Sequence, residues 1–279
     1  MTVERFYDLA GYAAVAEPFL LRREAENCIL LGQLAQLKDP AEAVLLVARD
    51  AGEPIAVATM TPSRHMMMTA APSAAVSALV DHLRAHQIDV PGIGAPSATA
   101  ETFAAQWCRT TAGMQRVHVR YTTFELTAVT PPPRAPGVMR RAEQRDVDLL
   151  GRWVQAFREE IGEGHLAGAH ELATERVRNG ELSLWEDAGE TVAMAGAIGP
   201  TRNGIRIVLV YTAPHRRGRG YASNLVAALS QHHFDAGRNS CFLNTDVANP
   251  TSNKIYRALG YRPVGESVVI MFDRAADGR

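Results

Sequence analysis

Apolar positions change period several times along this chain, and each change marks an element. After Asp146 and Asp148, either of them a helix cap by residue type, Leu149, Leu150, Trp153, Phe157 and Ile161 fall on one stripe at helical spacing. A shorter helix is predicted over 170–179, stopped by Gly180. Strand-like apolar runs follow at 182–185, 191–198 and 205–211, with Thr201-Arg202-Asn203-Gly204 supplying hairpin chemistry between the last two. Helical spacing returns at Ala222, Leu225, Val226, Leu229 and Ala236, and Gly237 stands where a left-handed C-cap is expected. A strand over 241–247, a short helix from Asn249-Pro250 to Gly260 and a closing strand over 268–272 complete the series. Helices alternate with strands of both short and long connection, so the fold class is α/β with a mixed sheet.

The first half repeats this order more faintly. A helical stretch around 19–37 precedes strands at 43–48 and 54–60, and 74–86 is again helical. Met68-Thr69-Ala70-Ala71-Pro72 parallels Val210-Tyr211-Thr212-Ala213-Pro214, each just ahead of a helix, and Ala95-Pro96-Ser97 parallels Asn249-Pro250-Thr251-Ser252. A diverged internal duplication accounts for these echoes. Between the halves, Thr130-Pro131-Pro132-Pro133-Arg134-Ala135-Pro136-Gly137 reads as a linker, since clustered prolines remove backbone donors and favour extended chain. The expected organisation is therefore a domain over 1–129, a proline-rich linker over 130–137 and a second domain over 138–279.

Composition narrows the function. Twenty-nine basic residues against 30 acidic ones leave a net charge of −1, so no overall field recruits nucleic acid or an anionic membrane. Lys38 and Lys254 are the only lysines. Cys28, Cys108 and Cys241 are odd in number and far apart, which fits reduced thiols in a cytoplasmic protein, and no pair has zinc-ligand spacing. No apolar run approaches the roughly 20 residues that span a bilayer. The expectations are a cytoplasmic protein with no metal, no nucleic-acid partner and no membrane partner.

The chemistry concentrates in one segment, from Val208 to Ser223, where a glycine-rich turn joins a buried strand to a helix N-terminus. Unpaired N–H groups and the positive end of the helix dipole make an anion site there, and the missing side chains of Gly218 and Gly220 let an oxyanion reach the backbone. One such helix-end interaction is worth only ~0.3–1 kcal/mol when exposed, so several donors together with Arg217 or Arg219 must act in concert, which suits a diphosphate. The turn lacks the Lys-Ser/Thr ending of a nucleotide P-loop and the Gly-x-Gly-x-x-Gly spacing of a dinucleotide site. A plain strand-to-helix loop using glycine for positive φ is the competing reading of the turn taken alone.

Arg217-Gly218-Arg219-Gly220-Tyr221-Ala222 resembles the R/Q-x-x-G-x-G/A pyrophosphate motif of the GNAT superfamily of N-acetyltransferases. Asn249-Pro250-Thr251-Ser252-Asn253-Lys254-Ile255-Tyr256-Arg257-Ala258-Leu259-Gly260-Tyr261 resembles that superfamily's second motif, an asparagine followed seven residues later by tyrosine and then by a Gly-aromatic pair. Together they cover about 138–273 and imply tandem GNAT-like domains, the first degenerate. The resemblance further implies acetyl-CoA as acyl donor, held along Val210, Tyr211 and Thr212 through its pantetheine arm. Arg217, Gly218, Arg219, Gly220, Tyr221, Ala222 and Ser223 would take its pyrophosphate, with Asn249 beside the pantetheine or adenosine and Tyr256 near the sulfur as catalytic acid. Each residue also has a plain structural reading: Asn249-Pro250 is a good N-cap and N1 pair, and Tyr256 shares a helix with Ile255 and Leu259 as a core aromatic would.

The implied reaction is direct attack of an amine on the thioester. Deprotonating a lysine-like amine at pH 7 costs about 4–5 kcal/mol, against about 1 kcal/mol for an α-amino group. The family often carries a carboxylate base on its central strands, but 205–211 holds only Arg206 as a charged residue; Glu159, Glu160, Glu163, His170, Glu171 and Asp246 stay open as candidates. In the first half, Ser73-Ala74-Ala75-Val76 replaces the glycine turn and Phe103 falls where a tyrosine is wanted, so no acyl-CoA is expected there. The expected acceptor is a small-molecule or peptide amine, with a homodimer as the compatible assembly. A non-catalytic acyl-CoA sensor or scaffold is the alternative, and a nucleotide-phosphate-binding regulator a third reading.

Overall fold

A computed structural model describes residues 1–273 apart from Ser63 and Ala112. In chain order the elements are β1 (Thr2–Phe6), α1 (Leu9–Leu21), α2 (Cys28–Gln36), β2 (Val44–Asp50), β3 (Glu53–Met60), β4 (Met66–Met68), α3 (Ser73–Ala85), β5 (Gly92–Pro96), α4 (Ser97–Thr111) and β6 (Met114–Leu126). There follow β7 (Val138–Arg141), α5 (Val147–Glu160), α6 (Ala169–Arg178), β8 (Leu182–Asp187), β9 (Glu190–Ile198), β10 (Gly204–Thr212), α7 (Tyr221–Asp235), β11 (Ser240–Asp246), α8 (Pro250–Ala258) and β12 (Arg262–Asp273). The order β-α-α-β-β-β-α-β-α-β thus occurs twice, over β1–β6 and over β7–β12. The α/β class with mixed sheets and helices on their faces is as the sequence implied.

The chain forms two compact units, one of Met1–Phe124, Asn244–Asn249 and the segment from Pro263, the other of Glu125–Leu243 and Pro250–Arg262. In the first, the strand order is β1-β2-β3-β4-β5-β12-β6, antiparallel except for the parallel β4–β5 ladder among the pairings described. The expected closing strand over 268–272 lies within β12 and pairs antiparallel with β5, Val268 opposite Ala95 and Ile270 opposite Ile93. It does not close the second unit's sheet. Val268 and Ile270 are buried with Val76, Leu79, Ile93, Phe103 and Trp107, so the side chains that fix this strand belong to the first unit's core.

The second unit orders its strands β11-β10-β9-β8-β7. β9 is buried from Val192 to Ile198, as a central strand covered on both faces must be. α5 and α6 lay Leu150, Trp153, Val154, Ala173 and Val177 on Leu182, Leu184, Met194 and Tyr211. The predicted stripe of α5 holds, except that Ile161 follows the helix and is 45% exposed.

Three local expectations change. The helical stretch over 19–37 is two helices, broken at the polar run Arg22–Asn27, where the Asn27 side chain donates to the Leu20 carbonyl at 2.9 Å. Asp146 precedes α5, but its carboxylate serves Arg140 and the Glu143 N–H rather than the helix's own amides. β5 and α4 carry too many Gly, Thr and Ala residues for periodicity to mark them. By contrast Gly237 takes the expected left-handed C-cap, with φ +88° and its N–H on the Phe234 carbonyl.

Candidate active site

The site begins with an irregularity in β10. Against β9, Arg206, Ile207 and Val208 face Ile198, Ala197 and Gly196, and then Tyr211 and Thr212 face Met194 and Ala193. Leu209 and Val210 therefore stand opposite Ala195 alone. This is a β-bulge, and Leu209 takes φ +53° to make it. A non-glycine residue at positive φ costs roughly 1–2 kcal/mol and persists only where the surroundings impose it. Here the Leu209 side chain packs on the Trp153–Tyr211 core and holds the bulge in place. On its other side β10 pairs in parallel with β11 over 204–206 against 240–242, while the strand itself runs on to Thr212.

Beyond Thr212 the chain makes a tight helical turn at Pro214–Arg216 and then the glycine turn. Gly218 and Gly220 have φ +77° and +79°, conformations that side-chain-bearing residues reach only under strain. A Cβ on Gly218 would meet nothing within 4 Å, so the loop opens onto free space there. α7 starts at Tyr221, and its first intrahelical bond runs from the Asn224 N–H to the Gly220 carbonyl at 3.0 Å. The amides ahead of Asn224 have no acceptor within the helix. A diphosphate fits this cradle, both in the room above Gly218 and in the donor-only character of the helix end.

Charged side chains fix the loop. Arg217 donates from Nε to the Thr212 carbonyl at 3.0 Å, meets Glu160 at 2.5 Å and lies over the Tyr211 ring, 5.4 Å from its centroid. Arg216 and His215 both reach Glu190, whose carboxyl is held below its ordinary range, chiefly by the Arg216 guanidinium. Tyr221 is buried, and its hydroxyl donates to Asp187 at 2.5 Å; its side chain anchors the helix, leaving only its backbone to the cradle. Arg219 is exposed beside it, and Ala222 and Ser223 are half-buried in the first turn of α7.

The second motif forms α8. Asn249 directly precedes that helix, exposed, with its N–H on the Asp246 carbonyl at 3.0 Å. Tyr256 is 8% exposed and packs edge-on against Tyr261 with ring centroids 5.8 Å apart; burial pushes its phenol up to about 12. Tyr261 in turn bonds Ser230 at 3.0 Å. The structure joins Val210–Thr212 and 217–223 into one continuous feature through Arg217, while Tyr256 sits on the separate α8. Sequence reasoning missed the bulge, the anchors Asp187, Glu160 and Glu190, and Asn224. Only Gly220, which stands four residues before Asn224, hinted at that last residue's place in the first turn.

Residues 149–261 match the model of the acetyltransferase (GNAT) family. They form a GNAT domain. No curated protein matches the sequence. In fold, the whole chain is similar to a crystallised Drosophila protein (12% identity, 98% of each chain, TM-score 0.71) and to a GCN5-related N-acetyltransferase from Sphaerobacter thermophilus (18% identity, 98% and 96% of the chains, TM-score 0.64). It is also similar to a tandem GNAT protein from the clavulanic acid biosynthesis pathway, with 14% identity over 99% of each chain and a TM-score of 0.58. The fold is thus that of tandem GNAT proteins.

Within the GNAT domain the base candidates separate by position. Glu160, at the end of α5, reaches the strand end through Arg217, which lies over the Tyr211 ring, whereas Glu159 accepts from Gln155 Nε2 at 3.0 Å. His170 is exposed and bonds Asp148 at 3.0 Å, and Glu171 is exposed on α6. Glu163 closes the turn after α5. Asp246, the last residue of β11, accepts the Ala248 N–H at 2.8 Å. Among the described residues no cluster of three metal-ligating side chains occurs, and no helix is long and apolar enough to cross a membrane.

Proposed function

We propose that this protein transfers the acetyl group of acetyl-CoA to a primary amine, at a site built by β10 and α7. The observation that carries this reading is the bulge at Leu209 leading directly into the Gly218–Gly220 turn. The bulge turns backbone groups of Val210 out of the β9 ladder, and the turn presents N–H donors at a helix end. An extended pantetheine arm can pair with the strand edge beyond Arg206 as an added strand would.

Acetyl-CoA, when bound, supplies the activated thioester. Val210–Thr212 orient it by main-chain hydrogen bonds, and the 217–223 turn holds its diphosphate. Tyr256 gives its proton to the departing thiolate. A phenol raised to about 12 remains protonated at every working pH, and a thiolate of reference pKa ~8.5 is basic enough to take that proton. Glu160, which meets the Arg217 that lies over Tyr211, or its neighbour Glu159 takes the proton of the incoming amine, directly or through water. Glu160 is released for that role only when Arg217 turns to phosphate.

The first unit supports a degenerate reading. Pro72 stands at the N-cap of α3 where the second unit has Gly220, the Ala71 N–H is already taken by Thr99 Oγ1 at 3.1 Å, and Phe103 occupies the seventh position of α4 as Tyr256 does of α8. Isothermal calorimetry of acetyl-CoA with the intact chain tests both halves of the reading. One site per chain, abolished by Gly220→Glu, is expected. Two sites would overturn the degenerate first unit, and a folded sample with no binding would overturn the acetyltransferase assignment. The absence of a carboxylate on β10 favours, as second reading, an acyl-CoA sensor without turnover; release of free CoA in an amine screen decides against it.

A further inference from the structure

The proline-rich segment after β6 is not a free tether. Within the second unit its Thr130 N–H donates to the Leu259 carbonyl at 2.9 Å, at the end of α8. Three residues on, the Pro133 carbonyl accepts from Asn224 Nδ2 at 3.0 Å, and the Ala135 N–H donates to Asn224 Oδ1 at 3.3 Å. The same Nδ2 also reaches the Gly220 carbonyl at 3.0 Å. At its far end the Pro136 carbonyl accepts from Trp185 Nε1 at 2.7 Å. Proline supplies no backbone N–H, so Pro133 and Pro136 contribute carbonyl acceptors, while the non-proline residues Thr130 and Ala135 contribute the strap's two N–H donors.

Stretched between α8 and the first turn of α7, the strap closes one side of a groove of about 510 Å³ lined by Pro131–Pro133, Ser223, Thr251, Lys254, Ile255 and Ala258. Pyrrolidine rings, Ile255 and Ala258 make apolar walls. Lys254 is exposed and is the one cation among the lining residues. Ser223 belongs to this groove and to the diphosphate cradle, so the two are continuous. A ligand portion with a flat apolar face and a phosphate, attached to a diphosphate, matches this lining.

We infer that the strap is a wall of the donor site, taking the adenosine 3′-phosphate end of CoA, with Lys254 on the phosphate and Asn224 as the positioning residue that clamps strap to cradle. The inference rests on the acyl-CoA reading of the GNAT domain. Asn224 reads both structures at once, since its amide holds the Pro133 carbonyl and the Gly220 carbonyl through one nitrogen. Losing it frees the strap and loosens the turn from which α7 starts.

The test compares CoA, dephospho-CoA and acetyl-pantetheine on the intact chain and on Asn224→Ala, Asn224→Asp and Lys254→Ala. Lys254→Ala, an exposed substitution that leaves folding intact, is expected to weaken CoA about fivefold and dephospho-CoA not at all. Asn224→Ala is expected to raise the Kd of both about tenfold and to raise the KM for acetyl-CoA without lowering its kcat, with Asn224→Asp, which retains an acceptor for the Ala135 N–H, recovering part of the loss. Turnover of acetyl-pantetheine, which lacks both the diphosphate and the adenosine end, stays the same in Lys254→Ala. Equal CoA affinity in wild type and both alanine variants overturns the strap inference while leaving the acyl-CoA reading intact. Equal losses with CoA and acetyl-pantetheine also overturn it, because they would mark a general loosening. No CoA binding by the wild type overturns the parent reading itself.

Discussion

Tyr256 shows how one residue carries two readings that only surroundings can part. Within α8 it is the one buried residue, and its ring rests on Tyr261 as a core aromatic does. Burial then shifts its phenol up to about 12, which makes it a proton donor that never ionises in the working range. Tyr256→Phe is expected to lower kcat about 100-fold while leaving acetyl-CoA affinity unchanged, because the ring stays and only the proton is lost. The sign for pH follows from the raised value: no alkaline limb assigned to Tyr256 occurs below about pH 11, and a wild-type limb there that vanishes in Tyr256→Phe would sink the assignment. Leu209 is the opposite case. Nothing in a strand of alternating Ile, Val and Leu announces that one leucine takes φ +53°, because the bulge is a mismatch in counting between two strands and exists only in their register. The glycine turn was legible because Gly218 and Gly220 are the residues positive φ demands, whereas the bulge beside it was not.

At the scale of elements, α5 was legible from its apolar stripe and its entrance was not. Arg140 on β7 donates to both oxygens of Asp146, at 2.7 and 2.9 Å, and from Nε to Glu186 at 2.6 Å, while Asp146 also accepts the Glu143 N–H at 2.8 Å. The Asp146 side chain is 8% exposed, and the Arg140 guanidinium is the largest cause holding its carboxyl below the usual range. A sequence shows an aspartate ahead of a helix and suggests a cap; it does not show an arginine six residues earlier turning back onto it. Asp146→Asn is expected to cost about 1–3 kcal/mol at pH 7, read by urea unfolding. A depressed carboxylate contributes above its unfolded pKa of ~3.9 and loses that contribution as pH falls through its lower folded value, so the gap between wild type and variant should close below about pH 4. A gap that is unchanged in that range removes the ion pair as its cause. The strap end makes a sterically sharper case. Gly137 has φ +101°, and a Cβ there would stand 2.3 Å from the Glu186 carbonyl oxygen, so Gly137→Ala is expected to destabilise by about 2–4 kcal/mol, seen as a fall in Tm.

Across the whole molecule, the repeated order of ten elements explains why the first half echoed the second in sequence, and why the echo was faint. What recurs is placement: Ala51-Gly52 and Ala188-Gly189 make the same positive-φ turns between β2 and β3 and between β8 and β9, and Ser97 and Pro250 begin α4 and α8. What diverged are the side chains that would hold a ligand, as Pro72 and Phe103 show. Hydrophobic pattern could give the elements of the last strand but not its destination, since Val268 and Ile270 fit any buried sheet and only packing decides which. β12 lies beyond the family-matched 149–261 and serves the first unit's core. Ile270→Ala, at a residue 3% exposed, is expected to cost about 2–4 kcal/mol. Native-state hydrogen exchange locates that loss: amides of β5, where Ile93 faces Ile270, should lose protection while those of β8 and β9 keep theirs. Acetyl-CoA should still bind at one site per chain. Loss of protection in β8 and β9 with β5 unaffected would assign β12 to the other core and overturn the division of labour argued for the two units.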